Sequence, residues 1–142
     1  MRIKNFFYRQ EGYRRALALH GLVPQEHFEV PLPPDTAGAW AAMNAWLAAK
    51  PELPTAFFAD NDNIALGALK AFEENGIRVP EDVSVVGFDD MPFAEFSTPP
   101  LTTVRVAKEE MGRLAVRILV GRAHAELSSA TKTQICTTLV ER

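Results

Sequence analysis

Thr55-Ala56-Phe57-Phe58-Ala59 and, further on, Val83-Ser84-Val85-Val86-Gly87-Phe88 are short runs that are apolar on nearly every position. Between them, Asp60-Asn61-Asp62 opens a segment that places Ala65, Ala68, Leu69 and Phe72 on one side and stops at Asn75-Gly76. A strand that is apolar on both faces has to be covered on both, and a helical segment between two such strands lets them run parallel. The expected class is α/β: a doubly wound parallel sheet with helices on both faces.

Working outward, the same alternation continues. Gly12 to His20 carries Tyr13, Ala16 and Leu17 at helical spacing, with Gly21 where a helix C-cap wants it. His27 to Leu32 reads as a short strand closed by Pro31, Pro33 and Pro34. Asp35 or Thr36 can cap a helix with Trp40, Met43 and Leu47 on its apolar face, stopped by Pro51 and Pro54. After Asp89-Asp90 an irregular loop runs through Pro92, Pro99 and Pro100 to a short strand at Leu101–Val106. A helix over Glu109–Val120 shows Met111, Ala115, Ile118 and Leu119 at core spacing, and Gln134–Val140 reads as a final strand.

Composition narrows the function classes. The chain has 142 residues, 47% hydrophobic and 23% charged, the profile of one globular domain. A formal charge of −3, a pI near 5.6 and scattered arginines give no phosphate-tracking surface. Cys136 is the only cysteine, so an internal disulfide is excluded. No apolar run reaches the length of a membrane span, and the opening Met1-Arg2-Ile3-Lys4 lacks the apolar stretch of a secretory leader. The expectation is a cytoplasmic protein without membrane contact.

In open parallel sheets ligands bind beyond the carboxyl ends of the strands. Asp60-Asn61-Asp62 leaves one strand there, Asp89-Asp90 leaves another, and Arg9, just before the first helical pattern, can face the same crevice. Asn61 donates and accepts, Asp89 accepts and Arg9 donates, a combination suited to the adjacent hydroxyls of a polyol. Each also has a plainer reading: Asp60 to Asp62 as a helix cap, Asp89-Asp90 as turn residues, Arg9 as a solvated side chain. Trp40 is expected in the core and Trp46, on another face, is free for a partner. Cys136 reads as a small core residue. His20, His27 and His124 lack metal-ligand spacing, and neither a phosphate loop nor a nucleophile elbow is present, so no metal, cofactor or enzymatic activity is expected.

Several motifs in order resemble the lac/gal repressor family of bacterial transcription regulators. They are Gly76-Ile77-Arg78-Val79-Pro80-Glu81-Asp82-Val83-Ser84-Val85-Val86-Gly87-Phe88-Asp89-Asp90, then Pro99-Pro100-Leu101-Thr102-Thr103-Val104, Glu110-Met111-Gly112-Arg113-Leu114-Ala115 and Leu139-Val140-Glu141-Arg142. Upstream, Arg9-Gln10-Glu11-Gly12-Tyr13 and Asn61-Asp62-Asn63-Ile64-Ala65-Leu66-Gly67 also fit. The resemblance implies a periplasmic-binding-protein-like fold of two α/β subdomains with an effector, a sugar or related small molecule, between them. It implies a homodimer that binds operator DNA through an N-terminal helix-turn-helix outside this sequence. Arg9, Asn61 and Asp89 fall on the family's effector-contacting positions, with Asp62 and Asp90 in support.

The family pattern further implies that residues 1–106 form the C-terminal subdomain without its first strand. Residues 107–125 would then be a helix of the other subdomain, and 126–142 a return strand. Two departures affect the ligand. Leu32 or Pro33 stands where the family often carries an aromatic platform, and Val106-Ala107 replaces a Gln-Pro pair. A sugar-binding transport component of the same fold is the competing reading. A phospho-acceptor domain is disfavoured because its acidic pair would leave the first strand, whereas Asp89-Asp90 follows two earlier ones.

Overall fold

The computed structural model describes residues 4–124 and 129–142. The leader reading of residues 1–3 and the boundary expected at 125–126 lie outside the described residues. Helix α1 spans Lys4–Leu19, α2 Thr36–Ala48, α3 Asp62–Glu74 and α4 Lys108–Ala123. Strands β1 (Ala56–Phe58), β2 (Ser84–Asp89), β3 (Thr102–Arg105) and β4 (Thr138–Val140) form one sheet in that spatial order. The first three are parallel, and β4 joins β3 antiparallel.

Two adjacent residues of β1 show how the faces are covered. Phe57 meets Trp46 of α2 and Phe72 of α3, with ring centroids 5.9 and 5.7 Å apart. Phe58 stacks on Tyr13 of α1 at 6.0 Å. Neighbouring strand residues point to opposite faces, so α2 and α3 cover one side and α1 lies on the other. The core sits on the α2–α3 side: Ala39, Met43, Leu47, Ala65, Ala68, Leu69, Phe72, Val83, Val85 and Leu101 are all buried there.

Local chemistry fixes the helix starts. The Asp35 carboxylate accepts from Gly38 N at 2.8 Å, and Asn61 Oδ1 accepts from Ile64 N at 2.8 Å, capping α2 and α3. Between these helices Gly67 permits close approach. A Cβ there would lie 2.6 Å from Thr36 O and 2.7 Å from Trp40 N, both backbone atoms that cannot yield cheaply.

The structure corrects five readings. Arg9 is inside α1 rather than before it, because nothing from Lys4 to Glu11 breaks a helix. His27–Leu32 is not a strand: Glu26–Phe28 is a 3-10 turn, and β1 pairs only with β2 among the described residues, so the segment has no ladder to join. The final strand is confined to Thr138–Val140, the stretch that finds β3, and Cys136 before it is exposed rather than core. Trp40 and Trp46 exchange roles. The buried face of α2 is Ala39-Met43-Leu47, which leaves Trp40 exposed with Nε1 donating to Glu74 at 2.7 Å and turns Trp46 inward onto Phe57.

Candidate functional site

Asp60 and Asp89 stand at the carboxyl ends of the neighbouring parallel strands β1 and β2, and Arg9 reaches both from α1. Its Nη1 donates to the Asp60 carbonyl oxygen, and its Nη2 donates to Asp89 Oδ1 at 2.9 Å. The guanidinium carbon lies 3.8 Å from the centre of the Phe88 ring and 5.7 Å from that of Phe6, one turn earlier in α1. Phe6, Arg9 and Tyr13 share one face of α1 by their spacing, and α1 has no fully buried residue, so these contacts, with the Arg14–Glu29 ion pair, attach it.

Asp89 holds φ at +110° and Asp90 at +48°. A side chain with a Cβ rarely adopts such angles, at a cost of order 1–3 kcal/mol each, and they concentrate where a site needs them. Here they break the strand alternation at the end of β2, so that Phe88 and Asp89 both address the same guanidinium. Burial pushes the Asp60 carboxyl above its ordinary value, opposed by the charge of Arg9.

Asn61 is engaged at both ends of its amide. Its oxygen caps α3, and its nitrogen donates to Pro34 O at 3.1 Å. It therefore ties the start of α3 to the segment before α2, beside the Arg9 contact at Asp60. Asp62 is fully buried and faces inward rather than towards the crevice. Its Oδ1 accepts from Thr103 Oγ1 at 2.5 Å and its Oδ2 from Met91 N at 2.7 Å, so one carboxylate joins α3, β3 and the loop after β2. Gly87 makes room for it, since a Cβ there would collide with Asp62 Oδ1. Burial raises the Asp62 carboxyl, against the hydrogen bonds from Thr103 and Met91, and the negative charges of Asp89 and Asp90 add to the rise.

Asp90 turns away from Arg9. Its carboxylate accepts from Arg105 Nε at 2.6 Å and Arg142 Nη2 at 2.8 Å, while Lys108 Nζ donates to its backbone oxygen at 3.2 Å. It thus fixes the ends of β2 and β3 and the residue after β4. Burial alone would raise its carboxyl, but the hydrogen bonds and charges of the two arginines outweigh that and leave it lowered. A depressed carboxyl stabilises the fold above its unfolded value near 3.8, and the gain disappears as pH falls through the folded value. The melting temperature of the wild type should therefore exceed that of Asp90→Asn at neutral pH. The gap should close below about pH 4; a gap constant down to pH 2 would remove the ion pairs from this account.

Sequence reasoning missed the Asp60 carbonyl, Phe88, Thr103, Arg105 and Arg142 as members of this constellation. Phe88 carried a signal, an aromatic directly before a strand-end aspartate. The backbone carbonyl carried none. Two clefts among the described residues, one lined by Leu69, Val79 and Pro99 and one by Leu47, Pro51 and Ile77, include none of Arg9, Asn61 and Asp89.

Comparison with known proteins joins these observations. Residues 6–142 match the periplasmic binding protein-like domain. The ribose operon repressor of Escherichia coli (strain K12) is 37% identical over 134 residues, which is 94% of this chain and 40% of the repressor. Among solved structures, a CelR–cellobiose complex superposes with a TM-score of 0.86 at 37% identity, covering 94% of this chain and 41% of that one. A LacI family regulator from Enterococcus faecium with bound ribose gives 0.87 at 26% identity, covering 98% and 51%. The chain thus spans about 40% of the length of the curated relatives it matches. The domain match over residues 6–142, with these relatives, makes the chain a member of the periplasmic-binding-protein-like family, in its lac/gal-repressor branch.

Proposed function

We propose that this chain is the effector-sensing portion of a LacI-type transcription regulator, and that its effector is a neutral sugar or related polyol held by Arg9, Asp89 and Asn61. The observation that carries the reading is the Arg9–Asp89 pair, anchored on the Asp60 carbonyl at the carboxyl ends of β1 and β2. Two of the five guanidinium N–H groups are used there, leaving three for a ligand, and Asp89 keeps a second carboxylate oxygen to accept hydroxyls. Because Asp89 already balances Arg9, the site presents no surplus cation, which favours an uncharged ligand over a phosphate ester. Asn61 contributes its second amide hydrogen and second lone pair at the rim. Relatives bound to cellobiose and ribose support the ligand class.

Calorimetric titration of the chain with ribose and cellobiose tests this. Charge-assisted hydrogen bonds contribute about 1.5–3 kcal/mol, so Arg9→Ala and Asp89→Ala should each weaken binding by about tenfold or more. Binding that survives both substitutions unchanged would place the ligand elsewhere.

In this reading the chain acts as a homodimer in the cytoplasm, and operator contact belongs to an N-terminal helix-turn-helix rather than to residues 1–142. With a net charge of −3 and no basic stripe, the chain itself should give no specific, salt-sensitive anisotropy change with operator DNA. A steep salt-dependent signal would refute that assignment. Helix α4 goes, in this proposal, with the other subdomain of the family fold. Met111, Val116, Leu119 and Val120 on it are all exposed, and Leu114 and Ile118 only half-buried.

A further inference from the structure

Arg9 could bind a ligand effectively only if its long side chain were held in place, since an unrestrained arginine loses rotamer freedom when it closes on one. Two hydrogen bonds fix the end of the guanidinium in its plane, to the Asp60 carbonyl and the Asp89 carboxylate. Neither prevents the plane from tilting. What lies against its face is the Phe88 ring, 3.8 Å from the guanidinium carbon, close enough for stacking and cation–π attraction. Phe88 is half-buried at the end of β2, so its ring belongs to the rigid sheet, whereas Arg9 belongs to a helix with no fully buried residue. The left-handed φ of Asp89 completes the arrangement by bringing the carboxylate to the guanidinium edge while the preceding ring covers its face.

We propose that Phe88 is a positioning residue: its ring, carried by the sheet, orients the Arg9 guanidinium for the ligand and sets the affinity of the site without touching the ligand. The inference rests on the ligand reading above, because Arg9 is the group through which Phe88 acts. It assigns an aromatic role in this site to a ring that serves the arginine.

The test uses the full chain with Phe88→Leu, which keeps an apolar side chain and removes the ring, and Phe88→Tyr, which keeps the ring. The first readout needs no ligand. In nitrogen-15 spectra of the arginine side chains, the Arg9 Nε–H signal, identified by its loss in Arg9→Lys, should be ring-shifted and slow to exchange in the wild type. It should lose the ring shift and exchange faster in Phe88→Leu, and stay near wild type in Phe88→Tyr. The second readout is titration with ribose and cellobiose. Phe88→Leu should weaken binding by about three- to thirtyfold, and Phe88→Tyr by no more than about twofold.

An Arg9 signal unchanged in Phe88→Leu overturns the positioning role whatever the titration gives. So does binding that Arg9→Ala abolishes but Phe88→Leu leaves intact. A wild-type chain that binds neither these two sugars nor any of a panel of other neutral sugars and polyols refutes the ligand reading and, with it, the claim that Phe88 sets affinity, while the spectra still decide whether the ring holds the arginine. Should Phe88→Leu lose its cooperative melt, the spectra of Phe88→Trp, with a larger ring on the same position, replace it: a larger ring shift at Arg9 is expected, and an unmoved signal counts against the proposal.

Discussion

Replacing Asp62 with alanine is expected to lower the unfolding free energy by about 2–6 kcal/mol. The carboxylate is fully buried and accepts from Met91 N and Thr103 Oγ1, so its removal strands one buried and one part-buried donor, at about 1–3 kcal/mol for each that water does not reach. The loss is large beside a domain's net stability of roughly 5–15 kcal/mol. Asp62→Asn should behave very differently. Its amide oxygen can still accept from Met91 N, and its amide nitrogen can donate to Thr103 Oγ1 once that hydroxyl rotates. Because burial raises the Asp62 carboxyl, its contribution is full below the unfolded value near 3.8 and declines as pH rises through the folded value. The asparagine variant lacks that decline, so near neutral pH it should match or exceed the wild type. Urea titrations of the three proteins at pH 4 and pH 7 measure the difference. If alanine and asparagine were equally damaging, the charge of the carboxylate rather than its shape or its capacity for two hydrogen bonds would explain the position, since asparagine keeps both.

Phe72→Ala is expected to cost about 3–5 kcal/mol, a large share of a domain's net stability of roughly 5–15 kcal/mol. Phe72 is wholly buried in α3 and stacks on Phe57 of β1, which in turn meets Trp46 of α2, so one ring joins three elements. Truncation opens a cavity between helix and sheet that backbone on both sides prevents from collapsing. Phe72→Leu should cost markedly less. Denaturant midpoints give both values, and a loss under about 1 kcal/mol for alanine would contradict the core as described.

The two predictions bear on the site as well as on stability. Asp62 ties the start of α3 to β3 and to the loop after β2, beside the strand ends against which Arg9 is held, while Phe72 fixes α3 on β1. Asp62→Ala should therefore weaken any ligand bound at Arg9 and Asp89 although it touches none, whereas Asp62→Asn should not.

Sequence alone reads out the α/β class, the two central strands, helix starts near Asp35–Thr36 and Asp60–Asp62, and the strand-end location of Asp60, Asp89 and Asp90; the structure selects Asp35 and Asn61 as the caps. All of these are local: apolar runs, helical periodicity and capping residues act within a few positions of themselves. The remainder depends on contacts between residues distant in the chain. Periodicity put both Trp40 and Met43 on an apolar stripe, but the placement of α3 selected Ala39-Met43-Leu47 and left Trp40 to Glu74. His27–Leu32 has the residues of a strand and no strand beside it to bond. Asn61 and Asp62 looked alike in sequence, yet one caps a helix at the rim while the other is buried against Thr103, forty-one positions away. Arg9 found its partners fifty-one and eighty positions away, one of them a backbone carbonyl that no side-chain pattern announces. Spacing along the chain says which way a residue faces; only the packed fold says what it meets there.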